Sequence, residues 1–151
     1  MSQGDDSIHL ETSLGYVLKE ASSALRAAME EVLRPLGMSV THYSCLELLA
    51  QRPGLSNSEL ARGTFVTRQT MNVLLQALER DGFVTRATEA PVGKALPTRL
   101  TASGRRSLEA ASAAVRSVER RMLAGMSESE QSAAFQALQS MVRALRDAGS
   151  A

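Results

Sequence analysis

Between Thr67 and Arg80 the sequence runs T-R-Q-T-M-N-V-L-L-Q-A-L-E-R, and its polar side chains are of the kind that read nucleotide bases. At roughly 100° per residue in a helix, Gln69, Val73, Gln76 and Arg80 share one face, with Asn72 beside them and Arg68 at its mouth. Glutamine and asparagine amides pair bidentately with N6 and N7 of adenine, and an apolar tip such as Val73 suits the thymine methyl. Almost no acid interrupts this face, so it can approach a polyanion. An ordinary solvated helix face mixes Glu with Lys; this one is nearly free of acid and amide-rich, which points to double-stranded DNA. Ser58, Thr67 and Arg86 join Arg68, Gln69, Asn72, Val73 and Gln76 as candidate DNA contacts, together with Lys94 further along the chain.

Such a face needs a scaffold, and the flanking residues supply one. Met71, Leu74, Leu75 and Leu78 recur at i, i+3, i+4 and i+7, a stripe that must be buried on the opposite side. Thr67 is the expected N-cap, and Gly82 closes the helix in the left-handed position. Upstream, Ser56 followed by Glu59 forms a capping box that predicts a helix from Asn57. Gly63 is expected to stop that helix after Arg62, and Phe65-Val66 to form an apolar plug before the next one. A short helix, a tight turn and a longer helix make a helix-turn-helix. Downstream, residues 83–101 suggest two short strands around a turn at Pro91-Val92-Gly93-Lys94, with Pro97 at an edge or bulge. A hairpin directly after a reading helix is a wing, and Lys94 at its tip is placed for phosphate or the minor groove.

The remaining chain reads as helices. From Ile8 to Arg34 a stripe of Leu14, Val17, Leu18, Ala21, Leu25, Ala28, Met29 and Val32 holds for about five turns, until Pro35-Leu36-Gly37 ends it. Ser39 caps a second helix to Gln51, with Cys45, Leu46, Leu48 and Leu49 inward. Thr101 caps a long helix over 102–124, with Leu108, Ala111, Val115, Val118 and Met122 on one side. Ser127 and Glu130 are a second capping box, opening a last helix to Asp147 whose stripe is Phe135, Leu138, Met141, Val142 and Leu145. The expected fold is mainly α with a small β-wing: six helices in one domain spanning 1–151. Residues 39–100 form the winged helix-turn-helix lobe, and 8–34 and 102–147 the dimerisation helices. The first, fifth and sixth helices cannot all bury their stripes on the lobe, so a homodimer with two-fold symmetry is expected. It would set two reading helices about one DNA turn apart on an inverted repeat.

Composition narrows the alternatives. The chain carries 17 Lys/Arg and 16 Asp/Glu, a formal +1, but residues 57–106 hold eight bases against four acids and the remainder nine against twelve. The basic excess therefore lies on the reading module. One cysteine excludes an intrachain disulfide and fits a reducing cytoplasm. No signal peptide or membrane-length apolar run is legible, so a cytoplasmic protein without a membrane partner is expected. His42 and Cys45 lie three apart, yet no oxyanion-forming loop accompanies them, so no enzyme is expected. Two distant histidines and one cysteine make a poor ligand set, so neither metal nor cofactor is expected.

The order helix, helix, helix-turn-helix, wing and two long helices resembles the MarR family of bacterial transcription regulators. The motifs carrying the resemblance are L-S-N-S-E-L-A-R at 55–62, L-E-R-D-G-F-V-T-R at 78–86 and R-L-T-A-S-G-R-R at 99–106, the last similar to the family's L-T-x-x-G-R. It implies a dimeric winged-helix repressor or activator, read here as a repressor, released by a small phenolic or lipophilic ligand between the dimer helices and the lobe. Leu14, Val17, Leu18, His42 and Tyr43 are the candidate ligand-binding residues. The wing departs from the family's Asp-x-Arg with Val92-Gly93-Lys94, exchanging a planar fork for a mobile point charge. Val73 stands where a base is common. Two alternatives remain: a redox-sensing regulator acting through Cys45, and a winged helix that binds protein.

Overall fold

The computed structural model describes residues 6–86 and 97–148. Six α-helices and one antiparallel strand pair follow in the order α1 (Leu14–Leu33), α2 (Val40–Gln51), α3 (Asn57–Thr64), α4 (Arg68–Arg80), β1 (Val84–Arg86), β2 (Thr98–Leu100), α5 (Ala102–Leu123) and α6 (Glu128–Ala148). A single 3-10 turn, Arg34–Leu36, holds Pro35 between α1 and α2. The six helices and the small wing sheet are as the sequence led one to expect. The turn expected at Pro91–Lys94, Lys94 included, lies outside the described residues.

Local chemistry sets most of the boundaries. The first helix begins at Leu14 and not at Ile8, because the Ser13 side chain accepts the Tyr16 N–H and caps it there. Residues 9–12 instead close a turn, Thr12 N–H to His9 O at 3.1 Å. Both capping boxes form: Ser56 with Glu59 at 3.2 Å in each direction, and Ser127 with Glu130 at 3.0 and 3.1 Å. Gly63, expected to end α3, lies inside it. A Cβ at Gly63 would come within 2.6 Å of Leu48 Cδ1, so this glycine permits close packing of α2 on α3. The helix ends instead at Phe65, a non-glycine residue at φ 62°. Phe65 is no plug: it is 82% exposed, and Val66 alone of that pair packs on the core.

The chain forms two compact units, Met1–Val118 and Glu119–Ala151. In the first, Leu33, Cys45, Leu46, Leu49, Leu60, Met71, Leu75 and Leu78 are buried together, with Leu74 and Leu48 packed at the margin. A polar strut joins α2 to α5: the half-buried Glu47 carboxylate accepts from Gln51 Nε2 and Ser112 Oγ, each at 2.8 Å. Burial pushes Glu47 toward protonation, but hydrogen bonds from Gln51, Ser112 and Tyr43 and the charge of Arg116 outweigh it and hold its pKa below the usual range. Burial, with Glu47 close by, raises Tyr43 to about 12. In the second unit, no described residue from Glu119 to Asp147 is buried, and Phe135, Leu138, Val142 and Leu145 of the α6 stripe stay exposed in one chain. No helix among the described residues is long and apolar enough to cross a membrane.

Candidate nucleic-acid interface

The surface begins at the N-terminus of α4. Thr67 caps it, accepting the Thr70 N–H at 3.1 Å and donating its hydroxyl proton to Thr70 Oγ1 at 3.0 Å. Met71, Leu75 and Leu78 are buried, which fixes the rotation of the helix. Arg68, Gln69, Val73, Gln76 and Arg80 are consequently exposed and Asn72 is half-buried. Val73 is 67% exposed, an apolar tip that the fold itself does not use. The amide face expected from the spacing is therefore turned outward. Ser58 is half-buried in the first turn of α3.

The acid of α4 is dealt with locally. Glu79 Oε2 lies 3.5 Å from Arg86 Nε on β1, which neutralises it and ties the end of α4 to the strand. Arg86, chosen from the sequence as a DNA contact, is thus engaged within the fold. This ion pair was not legible beforehand, since residues 79 and 86 are separated by a turn whose path depends on Gly82 at φ 82°. At the same end of α4 Arg80 faces Asp81 at 3.6 Å, a solvated pair of small consequence.

The wing root is held on both edges. Val84 pairs with Leu100, Thr85 with Arg99 and Arg86 with Thr98. On its far side Thr98 accepts from Gly54 N–H and donates to Leu55 O, both at 3.1 Å, so the loop before α3 shields the edge of β2.

The five ligand candidates divide into two groups. Leu14, Val17 and Leu18 lie on the open half of α1, roughly 16–22 Å along the helix from the docked end at Met29. His42 and Tyr43 are half-buried neighbours on α2 that face different groups. The His42 ring stacks at a tilt on Phe83, with centroids 5.7 Å apart, and its Nε2 is buried without a hydrogen-bond partner. Burial lowers its pKa below 6.5, partly offset by Asp81. Because the unfolded chain then takes up the proton first, this contribution to stability is complete above about pH 6.5 and is lost as pH falls below it. The urea midpoint should therefore drop between pH 7.5 and 5.5, and His42→Phe should flatten that slope. An identical slope in both proteins would show that His42 is not responsible.

Cys45 is buried with its Sγ 3.9 Å from Met71 Sδ, and burial raises its pKa to about 12. A protonated, enclosed thiol is a poor nucleophile. Its alkylation at pH 7 should be far slower than that of free cysteine; a comparable rate in folded protein would reopen the redox alternative.

Similarity to known proteins bears on what this surface meets. Residues 36–95 match the family model described as MarR family. The chain is 42% identical over 118 residues to the HTH-type transcriptional repressor Rv2887 of Mycobacterium tuberculosis, covering 78% of this chain and 85% of that protein. The structure of Rv2887 in complex with DNA aligns with a TM-score of 0.71 at 37% identity, over 86% of this chain and 98% of that one. A second Rv2887 structure, in complex with salicylic acid, aligns equally well at 38% identity, over 91% and 98%. The transcriptional repressor CouR bound to a 23-mer DNA duplex aligns with a TM-score of 0.80 at 25% identity, over 95% of this chain and 99% of that one.

Proposed function

This chain belongs to the MarR family, and we propose that it is a cytoplasmic, non-enzymatic transcriptional repressor that binds double-stranded DNA as a homodimer. The observation that carries this is the exposed amide face of α4, held outward by the buried Met71–Leu78 stripe and free of acids until Glu79. Rv2887 and CouR, both solved on DNA, support the same partner for this surface. The uncovered apolar stripes of α1 and α6 support pairing with a second copy, which would bury them and bring two α4 helices onto one duplex. An aromatic acid is the effector class that the salicylic acid complex of Rv2887 supports. Leu14, Val17 and Leu18 on the α1 stripe, with His42 and Tyr43, remain the residues proposed to meet it once the dimer closes over them.

Selection from a random duplex library, followed by sequencing, tests the proposal. The expected product is an inverted repeat with half-site centres roughly 10 base pairs apart. Retention of duplex without a repeat would remove the symmetric dimer. No retention at low ionic strength would leave the protein-binding alternative. Salicylate added to the same assay should release the recovered operator.

A further inference from the structure

We infer that Phe65 is a DNA-contacting residue whose ring packs on the deoxyribose face of the strand bordering the groove that α4 reads. The inference rests on the DNA-binding function proposed above. Its observation is an outlier of conformation and of exposure at one position. Phe65 adopts φ 62° and ψ 39°, a region that costs an L-residue energy and that glycine occupies freely. Its backbone does the work of ending α3, the N–H donating to the Ala61 and Arg62 carbonyls. The ring contributes nothing to that turn, and at 82% exposure little to packing. Between Asn57 and Leu100, Phe65 and Val73 are the large hydrophobics left exposed among the described residues. Neither stability nor packing accounts for a phenyl group here.

The surroundings identify the partner. Exposed Arg62 precedes Phe65 by three residues and exposed Arg68 follows it by three, with the Thr67 cap between. No acid occurs from Leu60 to Leu78. The edge of a duplex alternates anionic phosphates with apolar sugar rings, so an exposed aromatic ring flanked along the chain by two exposed arginines complements it in both respects. A second copy of the chain is a poorer occupant, because the faces it would cover are the uncharged stripes of α1 and α6.

An apolar contact releases no counterions, which separates it from every cationic contact to the same strand. Full-length Phe65→Gly and Phe65→Asn, both compatible with positive φ, should bind the selected operator and random duplex roughly fivefold to tenfold more weakly. The slope of log affinity against log salt should stay as in the wild type. Their melting temperatures should equal or exceed the wild-type value by a few degrees, as backbone strain is relieved. Phe65→Tyr, which keeps the ring, should bind as the wild type does. Unchanged affinity in the glycine and asparagine variants, with the wild type still binding, would overturn this inference alone. A changed salt slope, or a tyrosine variant as weak as the glycine one, would also overturn it. A wild-type protein that retained no duplex would overturn the inference together with the DNA-binding function.

Discussion

Gly104→Ala is expected to lower the melting temperature by roughly 6–12 °C, about 3 kcal/mol of overpacking against backbone. The start of α5 is pressed against the end of α4. The Thr101 hydroxyl donates to Gly82 O at 2.6 Å and accepts the Gly104 N–H at 3.0 Å, while the Thr101 N–H donates to Phe83 O at 3.1 Å. A Cβ on Gly104 would fall within the contact radius of Phe83 O and lie 3.1 Å from Phe83 C and 3.2 Å from Leu100 Cδ2. Two of those three neighbours are backbone atoms, which cannot swing aside as a side chain can. Relief requires α5 to lift from the β1–β2 root, and the Thr101 bonds to lengthen with it. Gly125→Ala is the matched control, since nothing lies within 4 Å of a Cβ there and its φ is not in the left-handed region. It should leave the melting temperature unchanged or slightly raised. If both variants melted with the wild type, the joint would be looser than the geometry states.

That joint explains the L-T-x-x-G-R pattern at residues 100–105 physically. Thr101 satisfies both helix ends, and Gly104 allows their approach. Features of this kind were legible as a resemblance but not as geometry. Where a signal is local, the sequence carried it: both capping boxes, the Thr67 cap and the Met71–Leu78 stripe depend on residues within about two turns. Glycine is ambiguous, because the same residue ends a helix at Gly82 and lies inside α3 at Gly63. What separates the two is Leu48, fifteen residues before Gly63, and no local rule contains it. The start of α1 went astray for the opposite reason. Leu10 extends its apolar register back by one turn, but the Ser13 cap decides where hydrogen bonding begins.

The candidate site divides in the same way. The rotation of α4 follows from four apolar residues, so the outward placement of Gln69, Val73 and Gln76 was readable. Arg86 was named as a DNA contact without its ion pair in view, because its partner Glu79 is reached only after the chain has turned. Phe65 was assigned inward on hydropathy alone, whereas the αL turn exposes it. The stripes of α1 and α6 were read correctly as apolar faces; a single chain leaves them open because their cover is intermolecular in the proposed dimer.

Gln69→Ala is expected to weaken binding to the selected operator by about 1–3 kcal/mol per half-site, and Arg68→Ala by a similar amount. Both side chains are exposed in the first turn of α4, so stability should change by less than about 0.5 kcal/mol. The loss of affinity would then belong to the interface. A bidentate amide discriminates among bases, so Gln69→Ala should relax preference at one position of each half-site while binding random duplex as before. A cationic contact to phosphate behaves differently: it weakens all sequences alike and reduces the salt slope by about 1. Arg68 can do either, and the pair of measurements assigns it. In a symmetric dimer each substitution acts twice, so the penalty on an intact inverted repeat should be about double that on an operator with one half-site scrambled. Equal penalties on both operators would mean that only one α4 engages the duplex. Equal loss on operator and random DNA would reduce Gln69 to a backbone contact and remove base reading from this face of α4.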